Sequence, residues 1–400
     1  MLDMKKLQLY YTFIALFVVC FACQNGGAYK KNKDLIYIHI DSLANENLII
    51  NNIHRHRFLP LETTQESLMA HIRKIEFDDG KIFIFDINDR LFVFEKETGK
   101  FLHTIGRIGQ GPGEHLNMRD FYLDRNNRTV NIIDIFRMEI FSYSYAGELK
   151  DRTCIAVHRQ IFNNFSEVHL TADNAMVLRM TNSPVSLYNF NLLSGIGFKR
   201  AENSTPYLFV GSTMRERALR NSIAHNESSI FLSAMVSDTI FRYDPEIRNI
   251  VPYMVFKGRY RPITTRDIGR RELEGGLDVL RIASARRLSF GINLFVMTDR
   301  HLHFRFETHS GAYRVFWNLE TNKGSIYNSF IRDATTAGAV LNNLFLSVIG
   351  ATNDAFVGVL YPHQFDEDFL RAFGDFQPIR EVYRAMQEDD NPILIFYYID

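Results

Sequence analysis

Short apolar runs, broken at close intervals by turn residues, fill most of the chain after Leu35. "KIFIFD" ends at Asp86, "RLFVFE" follows, and "KETGKF" turns the chain into "FLHTI". Brief β-branched and aromatic runs bounded by turn signals read as strands. The same layout returns in "TVNIIDIFRMEIFSYSYAGELKDRT", with a strand ending at Asp134 and a turn at Gly147. Asp86 and Asp134 are 48 residues apart, and Gly99, Gly147 and Gly195 keep the same interval. A third unit reads "NAMVLRMTNSPVSLYNFNLLSGIGF". A fourth turns at Arg248–Asn249, and a fifth turns at Lys323–Gly324. The last pair of runs is "DAFVGVLY" and the C-terminal "NPILIFYYID".

A period in the forties with three or four short strands per unit predicts a β-propeller. One such unit is too thin to bury both faces, so neighbours stack around an axis and share a core. The expected fold is therefore all-β: a single six-bladed propeller spanning residues 35–400. "LIYIHIDS" (35–42) alternates but has no hairpin partner nearby. It is expected to pair with the last blade, so that N- and C-terminal strands close the ring and remove an open sheet edge. Two segments depart from the strand pattern and predict short helical insertions. They are 264–290, interrupted by Gly275–Gly276, and 366–389, whose apolar stripe breaks near Pro378.

The N-terminus follows a different rule. Lys5 and Lys6 precede an apolar run from about Tyr10 to Ala22, too short to span a bilayer comfortably. It reads as a signal peptide, residues 1–22. Ala22–Cys23 followed by "QNGG" resembles a bacterial lipoprotein signal, which implies lipidation of Cys23. Cys20 stands where such signals usually carry an aliphatic residue. Residues 23–34 read as a polar tether. The reading implies export and an outer-membrane lipid anchor, with no other membrane contact. Of the three cysteines, only Cys154 then remains free in the mature fold. That excludes a disulfide framework and a cysteine zinc site. Beside Ile155, Cys154 is expected to be a small buried hydrophobe.

Lys+Arg and Asp+Glu both number 46, so the net charge is zero. No basic excess is available to neutralise a nucleic-acid backbone. "GRIGQGPGEH" (106–115) has the glycines of a phosphate loop but lacks the terminal Lys-Ser or Lys-Thr and a following helix. Its glycines instead suit a tight crossover between blades that needs positive φ. Nucleotides and nucleic acids are therefore not expected partners.

Asp86, Asn88, Arg90, Leu91, Val93, Phe94 and Gly99, followed by Gly106, Gly109, Gly111, Pro112, Gly113 and Glu114, resemble NHL-type propeller repeats. Asn88 and Arg90 are one residue apart rather than adjacent. "SDTIFRYD" (237–244) and "EDDNPILIFYYID" resemble the six-bladed β-propeller lipoproteins of gut-type Gram-negative bacteria. The resemblance implies a fold and an exported location, and no established activity.

Candidate chemistry is sparse. Arg107, Gln110 and Glu114 project from the glycine loop and could bond the hydroxyls of a glycan. Asp86, Asp134 and Asp238 could contribute to an axial Ca²⁺, which takes six or more oxygens. Alternatively, they cap turns. "HRH" (54–56) and "HLH" (301–303) each put two imidazoles on one strand face, a weak metal pattern. Arginines between Arg259 and Arg287 alternate with acids, as in an ion-paired surface or a groove for an anionic glycan or protein. No G-x-S-x-G is present. The expected function is a non-catalytic ligand-binding or scaffolding module at the cell envelope, for a glycan, a peptide or an envelope protein, without a cofactor. The alternative is a lactonase-like hydrolase or lyase with axial Ca²⁺.

Overall fold

The computed structural model describes residues 35–40, 44–45, 53–155, 165–180, 190–194, 199–200, 222–226, 228–233, 237–262, 267, 279–309, 311–328, 348–364 and 377–399. Cys23, Gly195 and the segments 1–34 and 365–376 lie outside them. Residues 37–400 cluster as one unit and residues 1–36 as another.

The fold is all-β, with its strands arranged as a β-propeller and very little helix. The described strands form six sheets. Five are built on four strands consecutive in the chain. The sixth joins three C-terminal strands, Val348–Ala351, Ala355–Leu360 and Ile393–Ile399, to the N-terminal strand Ile53–Pro60. Ile393 pairs with Pro60 and Tyr397 with His56, antiparallel. Ring closure thus uses both ends of the chain, but not the expected segment. Tyr37 and Ile38 belong to a strand that edges the fourth sheet instead. Ile53–Pro60 is the longer run, and Arg57 anchors it by donating to the carbonyls of Lys96 and Glu97.

The core lies between adjacent sheets, and strand alternation decides which neighbour each side chain meets. In Lys81–Asp86, Ile82 and Ile84 pack towards the sixth sheet, against Val357, Leu394 and Phe396. Phe83 and Phe85 point the other way, against Phe121, Val130 and Ile132 of the second sheet. All four are fully buried. A strand covered on both faces carries no polar alternation, which is why "KIFIFD" reads as a continuous apolar run. Removing one of these rings, as in Phe83→Ala, would cost about 3–5 kcal/mol.

The turns at Gly99, Gly147 and Arg248 form where the spacing predicts, each at positive φ, whereas Lys323–Gly324 open the strand Lys323–Asn328 just after its turn. Gly99 has φ +73°, and a Cβ there would lie 2.2 Å from the Pro60 carbonyl oxygen, so the position excludes a side chain. Loop 106–117 is a crossover between the first and second sheets, with Gly106 and Gly113 at φ +69° and +77°.

The helical expectations hold in part. Val279–Ala285 lies within 264–290, and Gln377–Ala385 carries Pro378 in its first turn. Cys154 corrects an expectation: it is exposed. It ends Leu149–Cys154, the outermost strand of its sheet, none of whose residues is buried.

Candidate functional site

The first strand of each sheet faces a central cavity of about 570 Å³. These strands are Ile72–Asp78, Met118–Asp124, Phe165–Leu170, Ile223–His225, Ser289–Met297 and Val348–Ala351. Along the first of them, Lys74, Glu76 and Asp78 recur at every second position and so share a face. Glu167 and His169 do the same on the third.

These side chains tie the inner strands together. Lys74 Nζ lies 3.2 Å from Asp120 Oδ2 and donates to the carbonyls of Phe121 (2.7 Å) and Val168 (3.1 Å). Asp120 also accepts the Val168 N–H at 2.8 Å. Glu167 accepts the N–H groups of Ser222 and Ile223. The first four sheets are thereby linked through buried charge. Burial pushes the Asp120 and Glu167 carboxyls upward, and neighbouring cations and N–H donors oppose that rise.

Across the cavity, Glu76 Oε1 lies 3.1 Å from His225 Nε2. His225 stacks on His169, with ring centroids 3.8 Å apart at 28°. Burial raises the Glu76 carboxyl, but His225, Lys74 and Arg125 outweigh it and hold the group ionised well below the usual carboxylate range. Burial pushes the His169 imidazole well down, so it is neutral. Arg125 lies 3.6 Å from Glu76 Oε2 and 3.8 Å from Asp78 Oδ1. One donor atom each of Glu76, His169 and His225 lies within 4.8 Å of the others. Two imidazole nitrogens and a carboxylate oxygen are donors that a transition metal accepts.

The residues singled out in the sequence lie elsewhere. Asp86 and Asp134 end the second strands of their sheets and do matching local work. Asp86 Oδ1 accepts the N–H groups of Asn88 and Arg90, and Oδ2 accepts that of Ala70 and pairs with Arg90 at 2.9 Å. Asp134 Oδ1 accepts the N–H groups of Phe136 and Arg137, and Oδ2 accepts that of Leu116. Their oxygens are taken up by turn and loop donors. Asp238 stands just before a third strand, Thr239–Asp244, rather than ending a second, and accepts from the Thr239 hydroxyl. The three are not brought into one cluster with a shared ligand position.

In the glycine loop, Arg107 and Gln110 are exposed. Glu114 turns back and accepts the Gly111 N–H at 2.8 Å. Exposed Ile108 and Phe136, 56% and 61% accessible, stand in this loop and in the turn after Asp134. His301 and His303 are buried rather than half-exposed. His301 meets the Asn318 amide, and His303 packs on Phe316 and Phe356. His54 has no described side chain, and His56 borders Phe58. Of the cationic stretch, Arg261 forms a two-pronged pair with Asp267, at 2.7 and 2.5 Å.

Sequence reasoning missed Glu76, His169 and His225. The available signal was titratable residues near the ends of the first strands, in "IRKIEFD", "FSEVHL" and "IAH".

A family model described as Domain of unknown function (DUF4934) matches residues 37–398. The chain belongs to that family. Its fold is similar to that of a candidate exported protein from Bacteroides fragilis, at 20% identity and a TM-score of 0.71. That match covers 92% of this chain and 99% of the other. A DUF4221 family member from Bacteroides vulgatus is similar at 10% identity and a TM-score of 0.51, covering 87% and 97% of the two chains. At these identities the likeness concerns the fold alone. No curated protein matches the chain. Among the described residues no helix is long and apolar enough to cross a membrane.

Proposed function

We propose that this chain is an exported propeller, lipid-anchored through Cys23 at the outer membrane. Each of its six sheets serves as one blade, and the central cavity is a non-catalytic binding site for a glycan or peptide. The observation that carries this reading is the cavity itself. Its volume of about 570 Å³ falls in the range of small-molecule sites, and all six sheets contribute to its wall. Lys74, Asp120 and Glu167 are spent on holding that wall, which makes the cavity pre-formed. Arg73, Arg125, Asp79 and Asp354 add polar groups around it that can orient a hydroxyl- or amide-rich ligand. The candidate exported protein from Bacteroides fragilis, which shares the fold, supports the location.

The test is binding of the purified soluble protein to glycan and peptide libraries, followed by affinity measurement on variants. Arg125→Ala and Asp354→Asn should weaken a captured ligand at least tenfold. The triple variant Arg107→Ala, Gln110→Ala, Glu114→Ala should leave it unchanged. The reverse outcome would move the site to the glycine loop. For the anchor, Cys23→Ser should abolish incorporation of labelled palmitate and release the protein from the membrane fraction.

A further inference from the structure

Glu76, His169 and His225 stand apart from the other buried charges of the cavity. Asp120 and Glu167 spend their oxygens on N–H groups of the neighbouring strand. The His169 imidazole, although buried, makes no hydrogen bond among the described residues. Its contact is the stacked ring of His225. His169 lines the open cavity, so its imidazole is available to a ligand there.

We propose that Glu76, His169 and His225 together bind a divalent transition-metal ion of the Zn²⁺ class, with a coordination position left open to the cavity. Two imidazoles and one carboxylate suit Zn²⁺ and its first-row neighbours. Ca²⁺ wants six to eight oxygens, and Mg²⁺ keeps several waters, so neither fits this donor set. Bonds of about 2.0–2.2 Å in a tetrahedral site put donors roughly 3.3 Å apart. Glu76 and His225 already meet at 3.1 Å. The three atoms lie within 4.8 Å, and binding requires the stacked His169 and His225 rings to rotate so that both nitrogens point at the ion.

The surroundings fit the same reading. Arg125 approaches Glu76 at Oε2, which leaves Oε1 for the ion and orients the carboxylate. Lys74 lies 3.9 Å from Glu76, but its charge is met by Asp120 and two carbonyls. Three protein donors with an open fourth position is the arrangement of sites that take water or a ligand donor. The site does not depend on what the cavity otherwise binds.

The experiment uses the mature protein, stripped with EDTA and dialysed. Zn²⁺ and Co²⁺ are titrated by calorimetry, and the Co²⁺ form is examined for d–d absorption. The expected result is one ion per chain, a four-coordinate Co²⁺ spectrum and a raised melting temperature with Zn²⁺ but not with Ca²⁺. His169→Gln, His225→Gln and Glu76→Gln, each checked for folding by circular dichroism, should each weaken Zn²⁺ at least tenfold. Absence of a d–d band and of any thermal shift at a hundredfold excess of Zn²⁺ would overturn the proposal. So would one-to-one binding that survives the His169→Gln and His225→Gln changes, which would place the ion elsewhere. The Co²⁺ spectrum of the unaltered protein decides the matter if a variant fails to fold.

Discussion

Glu76 Oε1 lies 3.1 Å from Nε2 of His225, although 149 residues separate them in the chain. The contact joins the first strand of the first sheet to the first strand of the fourth. Neither residue belongs to a local motif, so the contact exists only because the sheets arrange their first strands around one cavity.

Lys74 ties the inner strands of the first three sheets together in that cavity. Lys74→Met would leave the Asp120 carboxylate buried with only N–H partners, and stability should fall by about 3–5 kcal/mol. Adding Asp120→Asn should recover part of the loss, since the uncompensated charge is gone. Urea denaturation of both single variants and the double variant measures the coupling.

Asp86 and Asp134 should behave as a matched pair of structural anchors. Asp134→Ala strips acceptors from the N–H groups of Leu116, Phe136 and Arg137. Asp86→Ala does the same to Ala70, Asn88 and Arg90. Each should cost about 2–4 kcal/mol, because buried donors lose charge-assisted partners. A change in the chemical-denaturation midpoint with an unchanged slope is the expected readout.

Stability should decline as pH falls below about 6.5. Burial lowers the imidazoles of His115 and His303 in the folded state, and Arg314 adds to the effect at His303. The unfolded chain therefore binds protons that the folded chain refuses. Stability is fully present above the unfolded pKa and is lost as pH drops below it. Urea midpoints at pH 7.5, 6.5 and 5.5 should decrease in that order. His303→Phe, which keeps an aromatic ring against Phe316 and Phe356, should flatten the trend.

Ring closure should be essential. Ile393 to Tyr397 are fully buried, and the strand pairs on both edges, with Ala355–Leu360 and with Ile53–Pro60. Truncation after Asn391 removes those side chains and opens two sheet edges, so the protein should lose cooperative unfolding and self-associate. Size-exclusion chromatography and thermal denaturation read both effects. A monomeric, cooperatively folding truncation would show that the last sheet is dispensable.

The repeat was legible in the sequence because turn chemistry is local. Gly99 must have positive φ beside the Pro60 carbonyl, and Asp86 and Asp134 must end strands where N–H donors crowd. These demands recur at a fixed spacing whatever surrounds them, so strands, turns and the stacked all-β architecture followed from the residues. Tertiary structure alone chose which N-terminal run closes the ring, since the free edge of Ile393–Ile399 admits one strand and Ile53–Pro60 takes it. It alone buried His301 and His303, and it alone left Cys154 on an outer strand. It also gathered Glu76, His169 and His225. A titratable residue on an inner strand has the same alternation as one on a solvent-facing strand. Only the stacking of distant sheets around one cavity turns three such residues into neighbours.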